Sequence, residues 1–197
     1  MALDYVATMQ VEHELTVEKI EFVNISNYAE INAITSRNLE LLKNQREKTV
    51  YGSLLWVLDE CKTSMGTRLL KRFINNPLLN VDKIRKRQED VQYFIDNILI
   101  REDLREKLED IYDLERLLGK IIFGSENGKD LTALKKTIKS AVEIMKILEN
   151  TDFFKSIDVN ILFECYKIID DSINEDAPFS VREGGIIKSG YYLGLLE

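Results

Sequence analysis

Six carboxylates crowd one stretch of this 197-residue sequence: Glu102, Asp103, Glu106, Glu109, Asp110 and Asp113. Paired carboxylates can divide acid–base work, one giving a proton and the other taking it. Their neighbours point elsewhere. Arg101, Arg105, Lys107 and Arg116 are interspersed at helical spacing, with Asp103 four residues ahead of Lys107, which is how an exposed, salt-bridged helix face is written. A second grouping, Gly124-Ser125-Glu126-Asn127-Gly128-Lys129-Asp130, superficially resembles a phosphate-binding loop. Such a loop needs four residues between its glycines and a Ser or Thr after the lysine to reach magnesium. Here there are three, followed by Asp130, whose charge would repel phosphate. The preceding segment also reads as helix and not strand, so a nucleotide site is excluded.

The remaining reactive types are sparse. His13, the single histidine, lies between Glu12 and Glu14 and reads as a solvated surface side chain. Cys61 and Cys165 have no Cys or His neighbour at ligand spacing, so they read as buried thiols and not as a zinc site or a disulfide framework. The basic cluster Lys83, Arg85, Lys86 and Arg87, with Lys71 and Arg72 nearby, is the one candidate for phosphate contact, and Arg85, Lys86 and Arg87 are its DNA-binding candidates. No aromatics are interleaved to stack on bases, and a solvated helix face is the simpler reading. With 27 Lys plus Arg against 34 Asp plus Glu, the net charge of −7 repels polyanions. No catalytic, cofactor or metal site is expected.

The elements that would hold these residues are helices. Leu131, Leu134, Ile138, Ala141, Met145 and Leu148 recur at spacings of three and four, predicting a helix over about 130–149 with Asp130 as its N-cap. Its other face, Lys135, Lys136, Lys139, Glu143 and Lys146, reads as solvated charge. Met65, Leu69, Leu70, Phe73 and Ile74 share a face that ends before Pro77. Asn80 then caps a helix with apolar positions Val81, Ile84, Val91, Phe94, Ile95 and Ile98. Further stripes are Leu104, Leu108 and Ile111; Leu114, Leu117, Leu118, Ile121 and Ile122, ending near Gly124; and Ile161, Leu162, Cys165, Ile168 and Ile169.

The ends differ. Residues 17–25 alternate with β-branched types, and 178–190 combine β-formers with Gly184-Gly185, predicting minor β-structure near the termini of a mainly α fold. No apolar run approaches the roughly 18 residues of a membrane-spanning helix, and the N-terminus lacks a basic region followed by an apolar secretory segment, so a cytoplasmic location with no membrane contact is expected.

Several segments, in fixed order, carry a resemblance. Residues 52–78 (GSLLWVLDECKTSMGTRLLKRFINNPL) closely resemble the opening of the core, or lever, region of the bacterial MutS family of DNA mismatch-repair proteins. Thr35, Arg37, Asn38, Leu39, Glu40 and Leu41 look like that family's approach to the core. Ile84, Arg87 and Val91 follow in the expected order, as do Asp113 to Ile121 (DLERLLGKI), Asp130-Leu131, Arg182 to Ile187 (REGGII) and Gly190-Tyr191. Phe73 stands where the family usually has tryptophan, Cys61 and Ser64 where Thr and Pro or Ala are commoner, and Asn32 where aspartate is common. These are packing or turn substitutions.

The resemblance implies an organisation: residues 1–30 as the end of the connector and lead-in, 31–180 as a multi-helix core (lever) domain, and 181–197 as the start of the passage toward a clamp. It also implies that the mismatch reader, the clamp and the P-loop ATPase, with its ATP and magnesium, lie outside this sequence. The segment's own part would be non-catalytic coupling of the DNA-binding parts to the ATPase. Partners implied for the parent are its remaining domains, mismatched duplex DNA, a MutL-type protein and a second copy in a homodimer. The alternative is a self-contained helical protein–protein interaction module.

Overall fold

A computed structural model describes residues 27–149, 151, 153 and 159–191. The predicted β-pattern at 17–25, His13 and the last residues lie outside them. The described residues form α1 (Ala33–Asn38), α2 (Leu54–Leu58), α3 (Ser64–Asn75), α4 (Val81–Asp96), α5 (Ile98–Glu109), α6 (Leu114–Ile122), α7 (Gly128–Ile147) and α8 (Val159–Ser172). The mainly α reading holds.

Local chemistry sets most of the starts. The side chains of Asn32, Ser53, Thr63, Asn80, Asp113 and Asn127 each accept a hydrogen bond from the backbone N–H three residues on, at 2.8–3.4 Å, satisfying donors that a helix start leaves free. The cap of α7 is Asn127, however, and not Asp130. Asp130 sits one turn in, and its carboxylate accepts from the Asn127 N–H at 3.2 Å, so the two residues cap one another reciprocally. The ending of α6 agrees with expectation: Gly124 adopts φ +60°, and the Ser125 N–H reaches the Lys120 carbonyl at 2.9 Å. The predicted helix through Ile98 instead breaks at Asn97, whose side-chain amide donates to the Tyr93 carbonyl at 2.8 Å while its backbone leaves the helical region. Ile98 thus opens α5.

Packing gathers around α7, which lies against α5, α6 and α8. One cluster joins Leu104 to Ile144 and Leu148, with Phe94, Leu108 and Ile111 around it. A second joins Leu117 to Leu134 and Ile138, with Leu114, Ile121, Leu162, Tyr166 and Ile169 around it. A third, Leu41, Leu55 and Ile74, belongs to α2, α3 and the loop before them.

Several predicted apolar faces are only partly used. Leu118 and Ile122 on α6, Val81, Val91 and Ile95 on α4, and Ile161 and Ile168 on α8 are exposed, because each helix turns its other apolar side to its neighbour. For α8 that side is Leu162, Tyr166 and Ile169. Cys61 and Cys165 are exposed, correcting the expectation of buried thiols: Cys165 shares the outward face of α8, and Cys61 precedes α3.

Minor β-structure reduces, among the described residues, to two isolated antiparallel bridges, Tyr28 with Leu78 and Ile173 with Ile187. Left-handed backbones at Gly184 and Gly185 (φ +70° and +73°) and a 3₁₀ turn at Val181–Glu183 interrupt any strand over 178–190. The segment instead folds back, with the Asn174 N–H donating to the Ile186 carbonyl at 2.9 Å and the Lys188 N–H to the Ser172 carbonyl at 2.8 Å.

Candidate functional site

Of the six carboxylates that might have done acid–base chemistry, Glu109, Asp110 and Asp113 are paired with cations on other elements, and Glu102 with its neighbour Arg101. Asp113, the cap of α6, receives the fork of Arg68 from α3, with Nη1 2.7 Å from Oδ2 and Nη2 3.0 Å from Oδ1. The Ser64 hydroxyl donates to Oδ2 at 3.1 Å, and Arg68 Nη2 also reaches Glu115 Oε2 at 2.6 Å. Lys62 pairs with Glu109. Between α5 and α7, Lys107 meets Glu143 at 3.0 Å, and Lys136 meets Asp110, just past α5, at 2.6 Å. The structure gives Lys107 to Glu143 and not to Asp103, so the salt-bridged face works between helices more than within one. Lys135, Lys136 and Glu143, read as solvated charge, belong to this lattice.

Electrostatics favour the ionised form of Asp113 and Asp170. The hydrogen bond from Arg68 holds the Asp113 carboxyl well below the usual carboxylate range, against the opposing pull of desolvation. Asp170 is lowered likewise, by the hydrogen bond from Lys135. Burial alone would pull the Lys135 ammonium down, but the hydrogen bond and charge of Asp170, 3.0 Å away, with Glu175 at 3.6 Å, outweigh it and raise its pKa. A general acid or base needs a pKa near the working pH; Asp113 and Asp170 are pushed away from it.

The loop at 124–130 is explained by capping and packing. Lys120 Nζ lies 2.7 and 2.8 Å from the two Asp130 oxygens. Gly128 touches the returning C-terminal segment: a Cβ there would stand 2.5 Å from the Ala177 methyl. The backbone N–H groups of Asn127 and Asp130 are taken up by each other's side chains. Thr137, a buried residue that sequence reasoning passed over, ties α7 to the α5–α6 turn by accepting from the Tyr112 N–H at 3.1 Å while donating to the Ala133 carbonyl at 2.9 Å. Among the described residues, no three His, Cys, Asp or Glu side chains gather to hold a metal ion.

The basic candidates do not form one patch. The Arg87 guanidinium turns inward and sits 3.7 Å from the Phe73 ring centroid, a cation–π contact. Lys86 pairs with Asp90 at 3.0 Å, and Arg85 is exposed. Three consecutive residues on a helix diverge by about 100° per step, so this spacing cannot aim all three at one backbone.

Comparison with known proteins supplies what the geometry does not name. The family model for MutS domain III matches residues 34–191. The chain belongs to the MutS domain III family. It is 50% identical over 192 residues to the DNA mismatch repair protein MutS of Fusobacterium nucleatum subsp. nucleatum, covering 96% of this chain and 21% of that protein. It is 39% identical over 193 residues to that of Clostridium novyi (96% and 21%) and 43% identical over 179 residues to that of Halothermothrix orenii (89% and 20%). The chain therefore spans about a fifth of the length of these curated relatives. For a MutS domain III the ordered helices and their lattice of ion pairs are the feature to explain. No described helix is long and apolar enough to cross a membrane.

Proposed function

We propose that this chain is the non-catalytic helical core of a DNA mismatch-repair protein and passes conformational change between that protein's DNA-binding parts and its ATPase. The observation that carries this reading is the use made of the charged residues: Glu109, Asp110, Asp113, Asp130, Glu143 and Asp170 each bond a cation on another element. Such cross-ties build a frame. Close-packed clusters joined by such ties switch between discrete arrangements and do not absorb displacement gradually, which suits a part that relays movement.

ATP and magnesium belong in this reading to a domain beyond these residues. The partners are the remaining domains of the polypeptide, mismatched duplex held by those domains, a MutL-type protein and a second copy in a homodimer, in the cytoplasm. Coupling is tested in the full-length protein with Thr137→Val, which removes the tie to Tyr112 without changing side-chain volume much. The reading expects basal ATP hydrolysis and mismatch affinity to persist while the change in hydrolysis on adding mismatched DNA shrinks severalfold. A fully parental response to mismatched DNA refutes it.

A further inference from the structure

We infer that the described residues form two separately packed bodies, hinged at Leu79–Asn80 and held closed by an exposed ionic latch centred on Arg68. The first body, residues 27–79, has its own core of Leu41, Leu55 and Ile74. The second, α4 to α8 with the returning segment, is built on the Leu104 and Leu117 clusters. No buried cluster contains members of both bodies.

The covalent crossing is narrow. Chain up to Leu79 is bonded into the first body, the Ala29 N–H donating to the Pro77 carbonyl at 2.8 Å and the Leu79 N–H to the Asn27 carbonyl at 2.9 Å. The next residue, Asn80, already caps α4 of the second body. Beside this crossing, a cleft of about 570 Å³ opens between α3 and α4, with Phe73, Leu78, Ile84 and Val91 in its walls. The contact that spans it is the Arg87 guanidinium over the Phe73 ring, close to the pivot, and the open remainder of the cleft leaves room for rotation.

Among the described residues, hydrogen bonds and ion pairs cross elsewhere from Lys62, Ser64 and Arg68 to Glu109, Asp113 and Glu115. All are polar and solvent-accessible; the Arg68 side chain is 44% exposed and that of Glu115 78%. Exposed pairs are individually weak and screened by salt, while the bidentate fork fixes geometry. Opening would break these contacts and leave the Leu41, Leu104 and Leu117 clusters intact. Away from the Arg87 contact with Phe73 at the hinge, relative placement of the two bodies is therefore set by these ion pairs and hydrogen bonds. The latch is a property of this chain alone, and its test does not presuppose any signal passing through it.

The two exposed cysteines report on it directly, because Cys61 lies on the first body and Cys165 on α8 of the second. Spin labels on both, attached at mildly alkaline pH, give the distance distribution by pulsed electron resonance. The unsubstituted chain should show one narrow distance at about 0.05 M salt and gain a second population at about 1 M, where the screening length falls to about 3 Å. Arg68→Gln should show that second population already at low salt, with Arg68→Lys intermediate. Lys136→Gln, which breaks a pair inside the second body, should leave the distribution unchanged. A single distance insensitive to both salt and Arg68→Gln overturns the latch, as does an equal effect of Lys136→Gln. If Arg68→Gln loses helix by circular dichroism, the salt series on the unsubstituted chain decides alone.

Discussion

Replacing Gly128 with alanine should destabilise the helical bundle, although the same change at an open helix position would stabilise it by about 0.4–1 kcal/mol through the unfolded chain. Gly128 is not among the glycines with positive φ, so its backbone is open to any residue. Space is the constraint. A Cβ would lie 2.5 Å from the Ala177 methyl, 3.3 Å from Ile186 Cγ2 and 3.4 Å from the Pro178 carbonyl oxygen. Carbon pairs settle at about 3.5–4.0 Å, so the segment around Ala177 must retreat by about 1 Å, and Ala177 is only 2% exposed, with little slack around it. Overpacking of this kind costs about 1–3 kcal/mol. Subtracting the unfolded-state gain at the middle of both ranges leaves a net loss of about 1 kcal/mol, roughly 2–4 °C in melting temperature for a chain of this size. Thermal unfolding followed by circular dichroism reads this, and a double-mutant cycle with Ala177→Gly identifies the cause. If the methyl is what Gly128→Ala strikes, the double variant should exceed the sum of the singles by about 1 kcal/mol or more. A melting temperature equal to or above the parent's, or strict additivity in the cycle, refutes the close approach.

Three further predictions use the same chain. Leu117 is 6% exposed and Leu118 44%, so Leu117→Asp should cost on the order of 4 kcal/mol, and Leu118→Asp at most about 1; equal melting temperatures would mean that the register of α6 is wrong. The Asp113 carboxyl titrates below its ordinary value in the folded chain, so its contribution is complete above about pH 5 and is lost progressively as pH falls through the ordinary carboxylate range and below it. Asp113→Asn, which keeps a capping oxygen, should therefore flatten the loss of melting temperature between about pH 4.5 and 2.5 relative to the parent, and parallel acid curves would contradict the Arg68 pairing. The net charge of −7 and the divergence of Arg85, Lys86 and Arg87 predict no measurable preference for a mismatch and negligible duplex affinity by fluorescence anisotropy. Submicromolar binding at about 0.15 M salt would overturn that.

What was legible in the sequence was mostly local. Asn80 reads as a cap because its side chain needs only the N–H three residues on. The same chemistry made α7 ambiguous: Asn127 and Asp130 are both capping types, and only their spacing of three, which lets each satisfy the other, marks Asn127 as the outer one. Asn97 was hidden because Ile98 continues the apolar period of α4 across the break. On α8, Leu162, Phe163, Tyr166 and Ile169 compete with Ile161, Cys165 and Ile168, so periodicity could predict a helix without choosing the buried side. The Arg68–Asp113 fork joins residues 45 positions apart, and no pattern in either neighbourhood names its partner. A chemistry search based on spacing could find the carboxylates but not the cations that neutralise them.

That asymmetry bears on how such a chain could relay movement. Apolar clusters such as Leu117, Leu134 and Ile138 are legible because they repeat, and they are expensive to disturb, since vacating a buried leucine site costs about 2–5 kcal/mol. The exposed pairs at Arg68, Lys62 and Lys136 are illegible because they are non-local, and each is individually weak because solvent and salt screen it. A part that must keep its helices intact while changing how they are placed needs both kinds of contact, strong within a body and weak between bodies. The distribution of residues follows that requirement across the Leu79–Asn80 crossing, where no apolar cluster is shared and six polar side chains meet. Moving one of those contacts into the apolar class is then the perturbation most able to hold the bodies together without unfolding them: Lys62→Met with Glu109→Leu, which leaves the Arg68 fork in place, should narrow the salt response of the distance between Cys61 and Cys165 while leaving the helical content unchanged. An undiminished salt response in that variant would mean that the bodies are positioned by contacts other than these.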